Sequence, residues 1–275
     1  MCCGILCSVQ VAKKIAPGLF GPSSVSWRVN RESILLLGGG RALLMQLAHP
    51  AVAAGVDEHS DFRQDPVRRL LRTLELSLAL TFGTREEALA SARMINRAHL
   101  RVRGKGYSAT DPTLLLWVHA TLIDSALVTY EAFVRPLAPA DRAAYYDEAR
   151  SIGALLGVPE PTYPRDIIAF DEYVREMPAT VARVGDRARW VAAQVLRPPI
   201  ARLPGALFYP SAAITAGLLP RGLREAYRLP WGLPERLLFK AALHTVPWLV
   251  ALAPGRLRNV PGSRRSRDIK LIPQL

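Results

Sequence analysis

The chain has 275 residues, half of them hydrophobic, and its 36 basic and 23 acidic side chains give a net charge of +13. This share of hydrophobic residues excludes a wholly disordered protein and is enough for a full-sized core. Alternating runs of β-branched residues and Asn-Gly or Asp-Gly turns are hard to find. The pattern therefore predicts an all-α fold, organised as a single helical domain.

The basic side chains are concentrated near the C-terminus, where residues 256–275 contain six Lys or Arg and one Asp. Such a tail attracts nucleic acid or anionic lipid by charge. No helix-turn-helix, zinc-finger or basic-aromatic pattern accompanies it, so we expect no specific nucleic-acid binding. The three cysteines, at positions 2, 3 and 7, match neither a zinc site nor a disulfide framework. A cysteine-free core and the lack of a secretory signal predict a cytoplasmic protein, with a peripheral membrane contact left open.

We divide the chain into an N-terminal arm (residues 1–22), a helical domain (23–230) and a C-terminal helix with a basic tail (231–275). The most hydrophobic run, residues 237–252, is interrupted by Lys240, His244 and Pro247 and is too short to span a bilayer. It predicts a terminal helix that packs on the domain. A helix lying on a membrane surface is the alternative.

The helical domain opens with two apolar segments that are joined by Gly38-Gly39-Gly40 and broken at His49-Pro50, because the residue before a proline avoids the α region. The glycines lack the following Lys-Ser/Thr and the spacing of a phosphate-binding loop. They predict close packing of the backbone against a neighbour or a flat ligand. Arg41 would then be free to meet an anion.

A polar loop with Asp57, His59 and Asp61 follows these segments. The three residues fit either a metal site or a helix-capping turn, and the alternating positions favour the turn. Asp65-Pro66 then predicts the start of a helix, with Asp as the cap and Pro in the first turn.

That helix carries Arg69, Arg72 and Thr73 on the face opposite to an apolar one, and Leu76 and Leu80 continue the arginine face. Its second half is apolar all round and is expected to be buried. A cationic patch that merges into an apolar strip suits the wall of a pocket for a hydrophobic ligand with a polar end. A solvated arginine face is the alternative.

Residues 88–104 predict one helix with a histidine on an apolar face. At about 100° per residue, Ala88, Ala92 and Ile95 lie within about 60° of His99. Arg103 follows one turn later, within reach of the imidazole. The small neighbours leave room for a flat ligand in front of the ring. The alternative is a core histidine that is hydrogen-bonded to a carbonyl group.

A second inward-facing histidine, His119, lies in a helix that is predicted to begin at Asp111-Pro112, on the same face as Leu115, Leu122 and Ile123. It competes with His99 for the role of ligand, and one of the two is then a core group. Further helices are predicted over residues 139–157, 166–184, 212–219, 223–227 and 234–253.

Several segments, in this order, resemble the MpaB/rubber oxygenase family over roughly residues 20 to 230: GGGRALLMQLAHPAVAAGVDEHSDF, RRLLRT, INRAHLRVRG, YSATDPTLLLWVHATLIDS and YEAFVRPL. The resemblance implies an all-α fold with a globin-like core and a bound haem b. It implies that the histidine of an H-x-x-x-R motif, matched by His99 and Arg103, is the axial metal ligand. A distal R-x-x-K-T motif is matched by Arg69, Arg72 and Thr73, with Arg72 in place of the lysine.

The implied function is a haem-dependent oxygenase that inserts dioxygen into a hydrophobic, isoprenoid or lipid-like substrate and cleaves a C=C bond. The catalytic candidates Arg69, Arg72 and Thr73 would orient dioxygen and stabilise negative charge. Besides His99, the candidates for binding the cofactor are Arg41 and Arg103, as cations for the haem propionates, and His119. No residue matches the carboxylate base of rubber oxygenase, for which Asp57 and Asp61 are candidates by vicinity alone.

Two other classes of function stay open at this point. The first is a carrier of haem or a lipid-like ligand that does not turn it over. The second is a non-haem metal hydrolase built from His49, His59, His119 and a carboxylate. The sequence leaves open the identity of the substrate, mono- against dioxygenase chemistry, the electron donor and the oligomeric state.

Overall fold

The computed structural model describes residues 18–59, 66–181, 183–198 and 204–263, and the side chains of residues 66, 67, 69, 70 and 179–181 lie outside this description. The protein is an all-α single domain, as predicted, and the globin-like core stays a prediction. Within the described residues, the helices are accompanied by one short antiparallel hairpin, whose strands β1 (Arg103–Gly104) and β2 (Tyr107–Ser108) have two residues each. The helices are α1 (Val25–Asn30), α2 (Gly38–Leu47), α3 (Pro50–His59), α4 (Pro66–Phe82), α5 (Arg85–Arg101), α6 (Pro112–Phe133), α7 (Pro139–Leu155), α8 (Ile167–Val181), α9 (Asp186–Leu196), α10 (Tyr209–Leu218), α11 (Arg221–Ala226), α12 (Leu233–Leu252) and α13 (Gly255–Arg258).

Local capping explains where the helices around the candidate site begin. The Thr84 hydroxyl accepts a hydrogen bond from the Glu87 amide (3.2 Å), and the Glu87 carboxylate accepts one from the Thr84 amide (2.7 Å). This reciprocal pair satisfies two of the free amides at the start of α5. Asp111 caps α6 through the Thr113 amide (2.8 Å), as predicted. Asp65, the predicted cap of α4, lies outside the described residues.

The central element is α6, against which α2, α7, α8 and α12 pack. It contributes Trp117, Ile123, Leu127 and Tyr130 to the main core. By length and composition, α6 is the one helix of the described chain that could cross a membrane. However, 61% of its most apolar stretch is buried inside the protein. This burial is typical of the core helix of a globular domain.

The glycine triplet forms the first turn of α2 and lets that helix approach two others. A Cβ atom added at Gly38 would meet Thr129 of α6, and one added at Gly40 would lie 2.7 Å from the Thr215 Oγ1 of α10. A Cβ at Gly39 would meet nothing within 4 Å. The prediction of close backbone packing is therefore confirmed, with protein side chains as the neighbours.

The terminal helix α12 packs on α10 and α6 through one of its faces. The contact forms a second core cluster with four buried members, Phe133, Ile214, Leu218 and Ala242, and with Leu238, Phe239, Leu243 and Val246 packed against them. The boundaries 1–22, 23–230 and 231–275 stay a prediction.

Residues 31–33 are joined to residues 257–260. The carboxylate of Glu32, which is 1% exposed, accepts hydrogen bonds from Arg258 Nε (2.7 Å) and Nη2 (3.1 Å). The Val260 amide donates to the Arg31 carbonyl (2.8 Å). Two segments more than 220 positions apart in the chain thus share a buried ion pair and a backbone hydrogen bond.

Replacing Gly40 by Ala should lower the free energy of unfolding by about 1–3 kcal/mol, because the new methyl group meets the buried Thr215 side chain. Gly39→Ala is the matched control: its methyl group enters open space, so it should raise the stability by about 0.5–1 kcal/mol through helix propensity. Thr215→Ala should recover part of the loss when it is combined with Gly40→Ala. Urea unfolding measures all four proteins, and equal effects of the two single glycine variants would contradict this packing.

Candidate functional site

The candidate site lies on a helical hairpin formed by α4 and α5. The two helices are joined by residues 83–84 and pack closely against each other. In an antiparallel pair, positions equally distant from the joint lie level with each other. Arg69 of α4 is therefore about level with His99 of α5, and Arg72 lies about one turn closer to the joint. The segments that carry the two predicted motifs therefore lie toward the same end of the hairpin, on neighbouring helices.

The face of α5 that carries His99 has the predicted character. Ala88 and Ala92 are buried, Ile95 is half-buried, and the imidazole is partly buried above them. This burial lowers the pKa of His99 from its usual value of 6.5. The ring is therefore neutral at neutral pH and keeps a lone pair on one nitrogen.

Three polar atoms on this side of α5 are buried without a hydrogen-bond partner among the described residues. They are Ser91 Oγ, Asn96 Oδ1 and His99 Nδ1. At about 100° per residue, the side chains of Ser91 and Asn96 lie within about 80° of His99 around the helix. The Asn96 side chain also donates to the Leu155 carbonyl at the end of α7 (2.9 Å). Unsatisfied buried polar atoms are rare, and a cluster of them indicates a site where another group binds.

Arg103 does not lie on the His99 helix, so the prediction of one helix over residues 88–104 is wrong at its end. The helix stops at Arg101, Val102 has extended backbone angles, and Arg103 begins β1 with an exposed side chain. The turn is fixed by Tyr107, whose ring covers Gly104, and by Gly55 of α3, which lies against Val102 and Tyr107. His99 and Arg103 are therefore not neighbours on one helix face, as the i, i+4 spacing had predicted, although they lie only four residues apart in the chain.

Arg41 is engaged inside the protein, which corrects the prediction that it is free to meet an anion. Its guanidinium lies 2.6 Å from the Asp124 carboxylate and donates hydrogen bonds to Ser125 Oγ (2.8 Å) and to the Leu218 carbonyl (2.9 Å). Its side chain is 5% exposed. A buried cation needs such partners because desolvation costs several kcal/mol. Arg41 therefore ties α2 to α6 and α10.

His119 is fully inside the core and hydrogen-bonded there. Its Nδ1 lies 2.7 Å from the Tyr163 hydroxyl. A Cβ atom at Gly153 of α7 would lie 2.8 Å from the same nitrogen, so the glycine makes room for the pair. Burial lowers the pKa of His119 to about 4 and raises the pKa of Tyr163. His119 thus has the features of a core histidine, whereas His99 has a ring nitrogen without a partner in the described residues.

The side chains of Arg72 and Thr73 are exposed on α4. The Thr73 carbonyl accepts a hydrogen bond from Ser77 (2.9 Å). The Arg69 side chain lies outside the described part of the chain. The second half of α4 becomes buried at its last residues, 79–82, while Ser77 stays exposed, so the predicted burial is confirmed for the final turn. Leu71, which the helical periodicity places on the apolar face opposite Arg72, is 52% exposed.

The acidic residues of α3 form a network that the sequence did not indicate. Glu58 accepts hydrogen bonds from the Tyr107 hydroxyl (2.7 Å) and from Arg187 of α9 (2.6 Å). Asp57 lies 3.5 Å from the same guanidinium. These partners hold α3, α9 and the β hairpin together. Asp57 is thus placed in a structural network, and Asp61 lies outside the described residues.

His99 is the residue that fits a haem group best. It offers a neutral imidazole with an unpaired buried nitrogen, next to a wall of small side chains. No three His, Cys, Asp or Glu side chains in the described ranges are close enough to hold a metal ion together. That applies to His49, His59 and His119, the ligand set of the non-haem alternative.

The stability of the protein should fall in acid because His119 is buried as the neutral form. A histidine with a folded pKa of about 4 and an unfolded pKa of 6.5 stabilises the fold fully above pH 6.5 and loses that contribution as the pH falls toward 4. Between about pH 7 and pH 4.5, wild type should lose about 2–3 kcal/mol more than His119→Asn, which keeps a polar group beside Tyr163 but does not titrate. Urea unfolding at both pH values measures the difference. The exposed His244→Asn variant is the control and should follow wild type, and equal losses in wild type and His119→Asn would contradict the assignment.

The comparison with known proteins agrees with the motifs on the hairpin. The family described as ER-bound oxygenase mpaB/B′/rubber oxygenase, catalytic domain, matches residues 27–248. An uncharacterised protein of Mycobacterium bovis and one of Mycobacterium tuberculosis are each 30% identical to the chain over 227 residues, covering 78% of this chain and 88% of the relative. No solved structure matches the chain. The protein therefore belongs to the MpaB/rubber oxygenase catalytic-domain family, a family of oxygenases.

Proposed function

We propose that this oxygenase uses haem b, which the imidazole of His99 would hold, to insert dioxygen into a hydrophobic, isoprenoid or lipid-like substrate and to cleave a C=C bond. The observation that carries the proposal is the buried, unpartnered Nδ1 of His99, the residue that matches the histidine of the family motif. His119 satisfies its own Nδ1 through Tyr163 and is assigned to the core.

The haem, when bound, supplies the iron that activates dioxygen. The contribution of the chain is to hold and surround that group. Ala88 and Ala92 give a flat apolar wall beside the imidazole, and desolvation keeps the ring neutral and able to bind a metal. Arg103 remains the candidate cation for a propionate because its exposed side chain lies four residues after His99, whereas Arg41 is held by Asp124.

Arg72 and Thr73, with Arg69 one turn before them, are proposed to orient dioxygen and to stabilise negative charge on it. Both arginines are permanently charged, and their helix packs against the one that carries His99. Arg72 occupies the position of a lysine in the family motif. A guanidinium cannot give up a proton at ordinary pH, so it serves here as a fixed charge and hydrogen-bond donor.

A hydrophobic substrate fits the surroundings of the site. Leu71 of α4 and Leu100 of α5 are 52% and 64% exposed, and both lie toward the end of the hairpin that carries His99. Exposed large apolar side chains near a site provide the surface to which an apolar ligand binds. The expected partners are therefore an unsaturated hydrophobic small molecule and dioxygen, and we propose a cytoplasmic location without specific nucleic-acid binding.

Purified protein supplied with haem should show a Soret band that is lost or shifted in His99→Ala and retained in His119→Asn. Addition of free imidazole to His99→Ala should restore the band, because the small ligand replaces the missing ring. Absorption spectra of the oxidised and reduced proteins, with metal analysis of the same samples, test this assignment. Bound iron, manganese or zinc without a Soret band would replace it by the non-haem alternative.

Arg72→Ala should lower the rate of oxygen uptake with an unsaturated terpenoid by about 10²–10³, the usual loss when a donor to developing negative charge is removed. Its haem spectrum should remain that of wild type. Arg93→Ala, an exposed arginine on another face of α5, is the matched control and should keep the wild-type rate. A Soret band without oxygen uptake from any unsaturated lipid tested would instead favour the carrier.

A further inference from the structure

The terminal helix α12 is apolar on both of its sides. One side packs into the second core cluster. The other side presents large apolar side chains to solvent, each 57% to 79% exposed: Leu233, Leu237, Trp248, Leu249 and Leu252. A helix that is apolar all round is normally buried, and an exposed patch of this kind marks a surface that another body covers.

The exposed apolar side chains lie along one face of α12, at its two ends, with the exposed His244 and Thr245 between them. At about 100° per residue, Leu233, Leu237 and Leu252 lie within about 60° of Trp248 around α12. Leu249 extends this face on one side, and we call these five residues the apolar stripe. On the other side it is bordered by two exposed cations of α12, Arg236 and Lys240. Leu257 of α13, 71% exposed, continues the apolar surface past the end of the helix.

A cavity of about 320 Å³ lies beside the C-terminal half of α12, next to Trp248 and Leu252 in the chain. Pro247, Val250 and Ala251 of α12 form its apolar side. Its polar side contains four arginines, Arg28, Arg31, Arg135 and Arg258, and we call it the arginine cavity. The combination of an apolar surface with a strongly basic recess next to it suits an amphiphilic partner that has an anionic group.

The arginine cavity carries uncompensated positive charge. Glu32 pairs with Arg258 (2.7 Å) and lies 3.6 Å from Arg31, and Asp141 pairs with Arg28 (2.7 Å). These two carboxylates offset two of the four guanidinium groups, so the recess keeps a charge of about +2.

Arg135 is the guanidinium group available to a ligand, and Arg31, whose side chain is 41% exposed, also lines the cavity but has its Nε 3.6 Å from the Glu32 carboxylate. Within the described chain, Arg135 forms no ion pair with a carboxylate, and its hydrogen bond to the Tyr130 hydroxyl is long (3.5 Å). The Arg31 Nε is buried without a hydrogen-bond partner there. Arginine donors converging on one recess match the oxygens of a phosphate group.

We propose that α12 and α13 dock this protein on an anionic lipid bilayer, with the apolar stripe in the interfacial region and the phosphate of a lipid headgroup in the arginine cavity. The apolar stripe would lose its contact with water in the interfacial region of a bilayer, and Trp is a residue type that is enriched at membrane interfaces. The charged border is cationic, which matches anionic lipid. Glu235, the acidic residue of α12, is engaged by Tyr209 (2.7 Å) and the Gly232 amide (2.7 Å) and leaves this match intact.

Flotation with lipid vesicles tests the proposal on the full chain. Wild type should bind vesicles of phosphatidylcholine with phosphatidylserine and bind vesicles of phosphatidylcholine alone more weakly. The double variant Trp248→Ser/Leu252→Ser removes the centre of the stripe and should weaken binding roughly tenfold or more. Arg135→Glu reverses one charge in the cavity and should weaken binding to the anionic vesicles by about tenfold.

Two variants on α8, which packs against α6, α7 and α11, serve as matched controls. Ile168→Ser removes an equally exposed side chain (70%), and Arg175→Glu reverses an exposed charge. Both should bind vesicles as wild type does. Circular dichroism and urea unfolding should show that all four variants fold, since the replaced side chains are exposed.

Several outcomes would overturn the proposal. The first is a wild type that does not float with anionic vesicles. The second is undiminished binding of both α12 and cavity variants, which would assign vesicle binding to the basic tail. The third is a dimer in light scattering that Trp248→Ser/Leu252→Ser abolishes without changing vesicle binding, which would make a second copy the occupant of the stripe. The fourth is binding of inorganic phosphate that requires Arg135 while vesicles are ignored, which would make the cavity a site for a free anion.

Discussion

The buried contact between Arg41 and Asp124 is the constraint on which the centre of the structure depends. A lone guanidinium in this position would lose several kcal/mol of hydration, so α2 has to meet α6 and α10 at distances that satisfy it. The Leu218 carbonyl that completes its shell ends α10, where the helix dipole favours a cation. Gly38 and Gly40 permit this approach because they carry no side chains. The glycines thus allow the helices to approach closely, and Arg41, which follows them, makes the polar contacts that hold the helices there.

The two buried histidines differ in what the fold gives them. His119 has a hydroxyl partner and a glycine that makes space for it, so its polar atoms are largely satisfied by the core. His99 lies on a hairpin that packs mainly against itself, and its ring nitrogen meets no partner in the described chain. The Asn96 side chain ties α5 to the end of α7 through the Leu155 carbonyl, while Asn96 Oδ1 and His99 Nδ1 stay unsatisfied among the described residues.

Sequence patterns predicted the helical class, the start of α6 at Asp111, the break at His49-Pro50 and the apolar face below His99, because each follows from neighbours within two turns of the chain. Ser91 and Asn96 were not singled out in the sequence, because their unsatisfied atoms became visible only with the packing. The partners of Arg41 and His119 were not predictable, since Asp124 and Tyr163 are 83 and 44 positions away. The end of α5 was missed because contacts of Tyr107 and Gly55, and no local signal, stop the helix.

The ion pair between Glu32 and Arg258 has a consequence for the order in which the protein is made. Until residues 257–260 have been synthesised, the Glu32 carboxylate has no cation to accompany it into the interior and remains hydrated. The segment around Glu32, which leads into α2, therefore cannot reach its final buried position before residues 257–260 are present. Closing so long a loop is slow, and folding on the ribosome normally proceeds from the N-terminus. The final native state therefore forms only after residue 260 has been translated, and removing the residues from 257 onwards would leave the segment around Glu32 without its ion pair.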